Sequence, residues 1–161
     1  MSTYGTTDRC TGGTPSTDNA LVSNPIANAF DNNIGTSYKS DNVAYPRTVK
    51  YDFGAGVLWA IGQIKLTAIN GSDSSYMPKD FTIQGSLDNS NWTTLSTQTG
   101  QTFSAGETKT YSYTNKIKYR YIKLNITANN QATNYIMIAE IEMFETILPK
   151  GGIAIGSPMM Y

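Results

Sequence analysis

The chain has 161 residues, and its Lys+Arg and Asp+Glu totals are 12 each, so the formal net charge is zero. That length suits one domain; 39% hydrophobic and 15% charged residues provide a core and exclude a fully disordered chain. Balanced charge argues against a nucleic-acid partner, which needs a basic face, and the absence of histidine excludes Ser-His or Cys-His nucleophile pairs and His-ligated zinc.

In chain order, residues 1–22 are rich in Thr, Ser and Gly and read as a leading arm or an irregular first strand. The single cysteine, Cys10, allows no internal disulfide and reads as an incidental free thiol. Ser23 to Phe30 is expected to be a short helix, with Asn24 as its cap and Pro25 at the first helical position. Asp31 to Pro46 reads as a loop. The period then becomes two. Strands are expected at 48–53, 60–69 and 81–86. Asp88 to Asn91 is a tight turn, from which Trp92 to Leu95 returns, placing Trp92 in the core; Trp59, in a strand-leading turn, is open to exposure. Further strands are expected at 111–113, 121–127 and 136–144, the last with Ile141 and Met143 on one face and Glu140 and Glu142 on the other.

Short strands, polar loops and little helix indicate an all-β antiparallel β-sandwich. The domain proper is expected to span 23–145, followed by an apolar tail, 146–161, with Lys150 as its only charge after Glu145. Such a tail is expected to pack on its own domain or on a partner. No apolar run reaches membrane-spanning length, and the N-terminus lacks the apolar stretch of a signal peptide.

Asp31-x-Asn33-x-x-Thr36 clusters oxygen donors in a tight turn, part of what a hard cation needs. A β-sandwich could bring Glu140 alongside. The residues alone leave a second reading open, in which Asp31 and Asn33 make side-chain turns to their own backbone. An EF-hand is excluded, since Thr36 stands where its glycine is needed and Asn42 where its closing glutamate would be.

Six segments in order carry a resemblance: Ala29-Phe-Asp-Asn-Asn-Ile-Gly-Thr-Ser-Tyr38, Val49-Lys-Tyr-Asp-Phe-Gly54, Pro78-Lys-Asp-Phe-Thr-Ile-Gln-Gly-Ser86, Asn91-Trp-Thr-Thr-Leu95, Tyr119-Arg-Tyr-Ile-Lys-Leu124 and Ile138-Ala-Glu-Ile-Glu-Met-Phe144. Over roughly residues 20–145 the chain resembles the coagulation factor V/VIII type C, or discoidin, family. Its branch of family 32 carbohydrate-binding modules, with their galactose-binding-like jelly roll, looks closest. The chain lacks the terminal disulfide of vertebrate members and has Tyr38 where many members carry Trp.

The resemblance implies a structural calcium ion, or sodium. It would be held by the carbonyl of Asn28, by Asp31, Asn33 and Thr36, by the carbonyl of Ala139, and by Glu140. It also implies a glycan partner on loops at one end of the sandwich: Tyr38 to Arg47, Gly71 to Lys79 and Ala128 to Tyr135. Sugars need an aromatic face and planar polar groups, and Tyr45, Arg47, Tyr76 and Asn134 are the chosen ligand-binding residues. Many galactose-binding members use a histidine that this chain lacks.

An enzyme reading would rest on Glu140 and Glu142 as a carboxylate pair, but Glu140 is better explained as an ion ligand. Membrane insertion is disfavoured by zero net charge. The rival to glycan binding is a structural component of a larger particle, such as a phage decoration, tail or fibre protein, with the tail for docking or self-association. Either role fits an extracellular, cell-surface or virion setting.

Overall fold

The computed structural model describes residues 3–21 and 23–147. Among these the strands are β1 Thr3–Tyr4, β2 Thr14–Thr17, β3 Tyr38–Lys39, β4 Arg47–Asp52, β5 Ile61–Thr67, β6 Asp80–Ser86, β7 Thr93–Gln98, β8 Thr108–Ser112, β9 Tyr121–Ala128, β10 Met137–Ile138 and β11 Glu140–Ile147. The helical content is two 3-10 turns, Ile26–Phe30 and Ser72–Tyr76. One antiparallel sheet has the order β1-β11-β5-β8; the facing one has β2-β4-β9-β6-β7; β10 and β3 form a short ribbon. This is the expected antiparallel β-sandwich.

Period two produces the core. On β4 Val49 and Tyr51 point in while Lys50 and Asp52 point out; on β9 Ile122, Leu124 and Ile126 point in. These meet Ile61, Ile64 and Leu66 of β5 and Ile141 and Met143 of β11 in one contiguous core. At about 25 cal/mol per Å2 of apolar area removed from water, this interlayer burial is the main stabilising term.

Several expectations change. The described part of residues 1–22 takes the strand form, one of its two expected readings, but as two strands: β1 pairs with β11 and β2 with β4, with Cys10 buried between them. The segment before Phe30 is a single 3-10 turn rather than an α-helix. Asn24 does not cap it; Pro25 holds the cap position in extended backbone, and the Asn24 amide reaches the Ser37 carbonyl. β3 lies inside the stretch read as loop. The last strand is interrupted at Ala139, which splits β10 from β11. Trp92 is not in the core: it is half-buried on the outside of the five-stranded sheet, under the Lys123 ammonium. Trp59 is also half-buried, beneath the Arg9 guanidinium. Glu140 is buried, 4% exposed. β11 runs to Ile147, and the rest of the apolar tail lies outside the described residues.

Candidate functional site

The three loops expected to carry a ligand are joined at one end of the sandwich. β3 pairs with β10, Lys39 opposite Met137, which draws the chain after Tyr38 against the chain after Tyr135. Ser40 and Ile136 then exchange bonds: the Ser40 N–H donates to the Ile136 carbonyl and the Ile136 N–H to the Ser40 hydroxyl. The Asn134 N–H donates to Asn42 Oδ1 at 2.8 Å. The loop after β5 is tied in by the Asn130 N–H to the Ser75 carbonyl and by Gln131 Nε2 to Ser75 Oγ.

On this frame an aromatic cluster stands half-exposed. The Tyr76 and Tyr135 rings meet edge to face with centroids 6.0 Å apart. Lys39 Nζ lies 4.8 Å from the Tyr135 centroid and 5.7 Å from that of Tyr76. Tyr76 and Asn134 were singled out from sequence, and both sit here. Lys39 and Tyr135 complete the cluster; both lie within the loop stretches expected to carry the ligand.

Tyr45 and Arg47 play a different part. Arg47 is 2% exposed, and its Nη2 donates to the carbonyls of Asp41 and Val43. It braces the loop from beneath instead of reaching the surface. Tyr45 is half-buried against the core, and burial pushes its hydroxyl up. Asn129, 7% exposed, spends its amide within its own loop: Nδ2 donates to the carbonyls of Thr133 and Tyr135, and Oδ1 accepts from the Gln131 N–H.

A second constellation lies at the start of β11. Glu140 Oε2 accepts from the Asn33 N–H at 3.1 Å, and Oε1 from the Ile141 N–H at 3.2 Å. Asp31 Oδ1 accepts from the Asn33 N–H and Oδ2 from the Thr36 hydroxyl. The fold therefore joins the early oxygen-rich turn to the late carboxylate, 107 residues apart. Burial, with the Asp31 charge added, pushes the Glu140 carboxyl up to about 7 despite its N–H partners. Among the described residues no Lys or Arg forms an ion pair with it. The donors brought together here are all oxygen, the kind a hard cation takes. Asn28 donates its side-chain Nδ2 to the Ser37 carbonyl, which holds its backbone beside this turn.

The profile of the F5/8 type C domain matches residues 13–141. The chain belongs to that family. No curated protein matches it. Among solved structures, this F5/8 type C domain is similar to the family 32 carbohydrate-binding module of C. perfringens NanJ, solved with galactose: 18% identity, 90% of this chain and 100% of that one, TM-score 0.71. It is similar to chitosan-binding module 1 of a chitosanase/glucanase from Paenibacillus sp. IK-5, at 20% identity, 85% and 98% coverage and TM-score 0.69. It is also similar to the family 32 module of AlyQ, solved with 4,5-unsaturated mannuronic acid, at 18% identity, 81% and 93% coverage and TM-score 0.65. At these identities the likeness establishes the jelly-roll sandwich, and the F5/8 type C domain's ligand has to be argued from its own loops.

Proposed function

We propose that this domain is a non-catalytic carbohydrate-binding module that holds a glycan at the loop end built around Tyr76 and Tyr135. One observation carries the reading: three loops distant in sequence converge to set two half-exposed phenol rings and an ammonium side by side, with Asn134 next along the chain from Tyr135. A ring face takes the C–H surface of a pyranose, while Lys39 Nζ and the Asn134 amide address its hydroxyls. The surrounding loop bonds hold these groups in place before the sugar arrives, which lowers the ordering cost of binding. Solved relatives of this fold hold galactose in one case and an unsaturated mannuronic acid in another, which supports a saccharide ligand.

In this reading calcium, or sodium, is held by Asp31, Asn33, Thr36 and Glu140 with the carbonyls of Asn28 and Ala139. Such an ion neutralises the two carboxylates and ties β11 to the turn after Phe30. Its work is structural.

The test is a glycan array with the domain multimerised, followed by titration of the best ligand. Tyr76→Ala and Tyr135→Ala are each expected to weaken binding at least tenfold, with the melting temperature changed little. A blank array across galactosides, glucosides and uronates, or unchanged affinity in both variants, overturns the reading.

One observation favours the scaffold alternative. Val57, Leu58, Ile117 and Ile147, all 40% exposed or more, border the end of the molecule from which the chain leaves β11. A cavity of about 250 Å3 lined by Ala60, Lys118, Glu145, Thr146 and Ile147 opens there. Exposed apolar surface at that point suits docking into a larger assembly. Light scattering on the full chain and on a chain ending at Ile147 tests it: self-association lost with residues 148–161 supports assembly, and a monomer in both forms counts against it.

A further inference from the structure

The outer face of the five-stranded sheet carries an arrangement that the loop-end site does not use. Register places Ser16 opposite Lys50, Lys50 opposite Lys123, Lys123 opposite Gln84, and Gln84 opposite Thr94. These outward side chains form one straight row across all five strands. At about 4.8 Å per strand spacing the row spans roughly 19 Å. Trp92 and Tyr121 stand along one flank, their rings edge to face at 6.5 Å.

At the centre of the row two lysines sit directly opposite each other on neighbouring strands. Like charges in that position are destabilising. Burial, with the Lys50 charge added, lowers the Lys123 ammonium below its ordinary value. No carboxylate is ion-paired with either lysine among the described residues. Lys50 Nζ donates to Asn89 Oδ1 at 2.8 Å, and Lys123 Nζ lies 4.0 Å over the Trp92 ring. The nearby acids hydrogen-bond elsewhere, and Asp18 and Asp52 act on the two lysines through their charge without forming an ion pair with either. Asp52 takes both bonds of the Arg120 guanidinium, and Asp18 accepts from the N–H and hydroxyl of Thr48. Asp88 collects the N–H groups of Ser90 and Asn91 in its own turn.

We propose that this sheet face is a second binding site, for an anionic polysaccharide whose carboxylate or sulfate group bridges Lys50 and Lys123. The hydroxyl and amide groups of Ser16, Gln84 and Thr94 extend along the same line and match the hydroxyls of a chain laid across the strands. The Trp92 and Tyr121 flank adds apolar surface for a ring. A nucleic acid would need a larger basic area than two lysines on a chain of zero net charge provide.

The test titrates the full chain with oligogalacturonate, with a sulfated galactan oligomer and with a neutral galactan oligomer of equal length. Amide chemical-shift mapping on the unmodified chain is expected to move Lys50, Gln84, Trp92 and Lys123 for at least one polyanion, more weakly at high salt. The K50Q/K123Q double variant is expected to bind that polyanion at least tenfold more weakly, while Tyr76→Ala retains it. Whichever polyanion responds identifies the bridging group as carboxylate or sulfate. Shifts confined to the loop end, loss of polyanion binding in Tyr76→Ala alone, or no binding of either polyanion overturns the proposal. The loop-end reading is judged separately, by its own array and by the neutral oligomer.

Discussion

Gly62 shows how little room the packing leaves at single residues. It lies on β5 beside the irregular end of its pairing with β11, and a Cβ there would collide with the Thr146 hydroxyl and stand 3.1 Å from the Tyr113 carbonyl. The Tyr113 contact is backbone and cannot rotate away. Gly62→Ala is therefore expected to cost about 1–3 kcal/mol, the usual range for overpacking, read as a lower urea midpoint with an unchanged slope. A midpoint equal to that of the parent would show that β11 yields easily. The residue scale is also where sequence reasoning had least to work with. Trp92 and Trp59 are both large and apolar, and only the strand pairing shows that each ends up half-buried beneath a cation. Arg47 read as a surface group for sugars because its charge is visible in sequence, whereas the carbonyls of Asp41 and Val43 that draw it inward are conformational facts.

At the scale of elements, β11 is the piece on which most depends. It pairs with both β1 and β5, and its first residue, Glu140, meets the turn that follows Phe30. The strands with clean alternation, β4, β5, β6 and β9, were legible within a residue or two. The short pairs β3 and β10 were not, because a two-residue strand has no period to read. The meeting of Glu140 with the turn at Asn33 was legible through the sandwich and the ordered family segments, since no local pattern links positions 107 residues apart. If the proposed ion holds this junction, its removal should loosen β11 first. At a free concentration a hundred times its dissociation constant a ligand adds about 2.7 kcal/mol, and in a domain of this size each kcal/mol moves the melting temperature by about 2–4 °C. Excess chelator is thus expected to lower the melt by roughly 5–10 °C, and Glu140→Gln to abolish the difference between calcium and chelator. An unchanged melt in chelator, with no metal by elemental analysis, would remove the ion from the account.

For the whole molecule, the buried tyrosines shape how stability follows pH. Tyr113, Tyr111, Tyr51 and Tyr38 all contribute to the core between the two sheets. Burial pushes the Tyr111 hydroxyl up to about 12, with the Glu107 charge added, and burial pushes Tyr113 higher still. A phenol whose folded pKa is raised favours folding as long as it is protonated. That contribution is complete below about pH 10, the ordinary tyrosine value, and is lost as pH climbs toward the folded values. Asp52 acts in the opposite direction. Its hydrogen bonds from Arg120 hold its carboxyl below the usual carboxylate range, so its contribution is present above about pH 4 and lost as pH falls. Asp52 is partly solvated, which keeps that acid-side term small. The alkaline side should therefore be the steeper limb. The Tyr113 hydroxyl is buried and has no hydrogen-bond partner among the described residues, so Tyr113→Phe removes an unsatisfied group without opening a large cavity. At pH 7 the variant is expected to lie within about 1 kcal/mol of the parent, on either side. Between pH 10 and pH 12 it should lose visibly less stability than the parent in urea titrations, because one of the phenols that must ionise on unfolding is gone. Identical alkaline slopes for the two proteins would mean that ionisation of Tyr113 is not coupled to the opening of the sandwich.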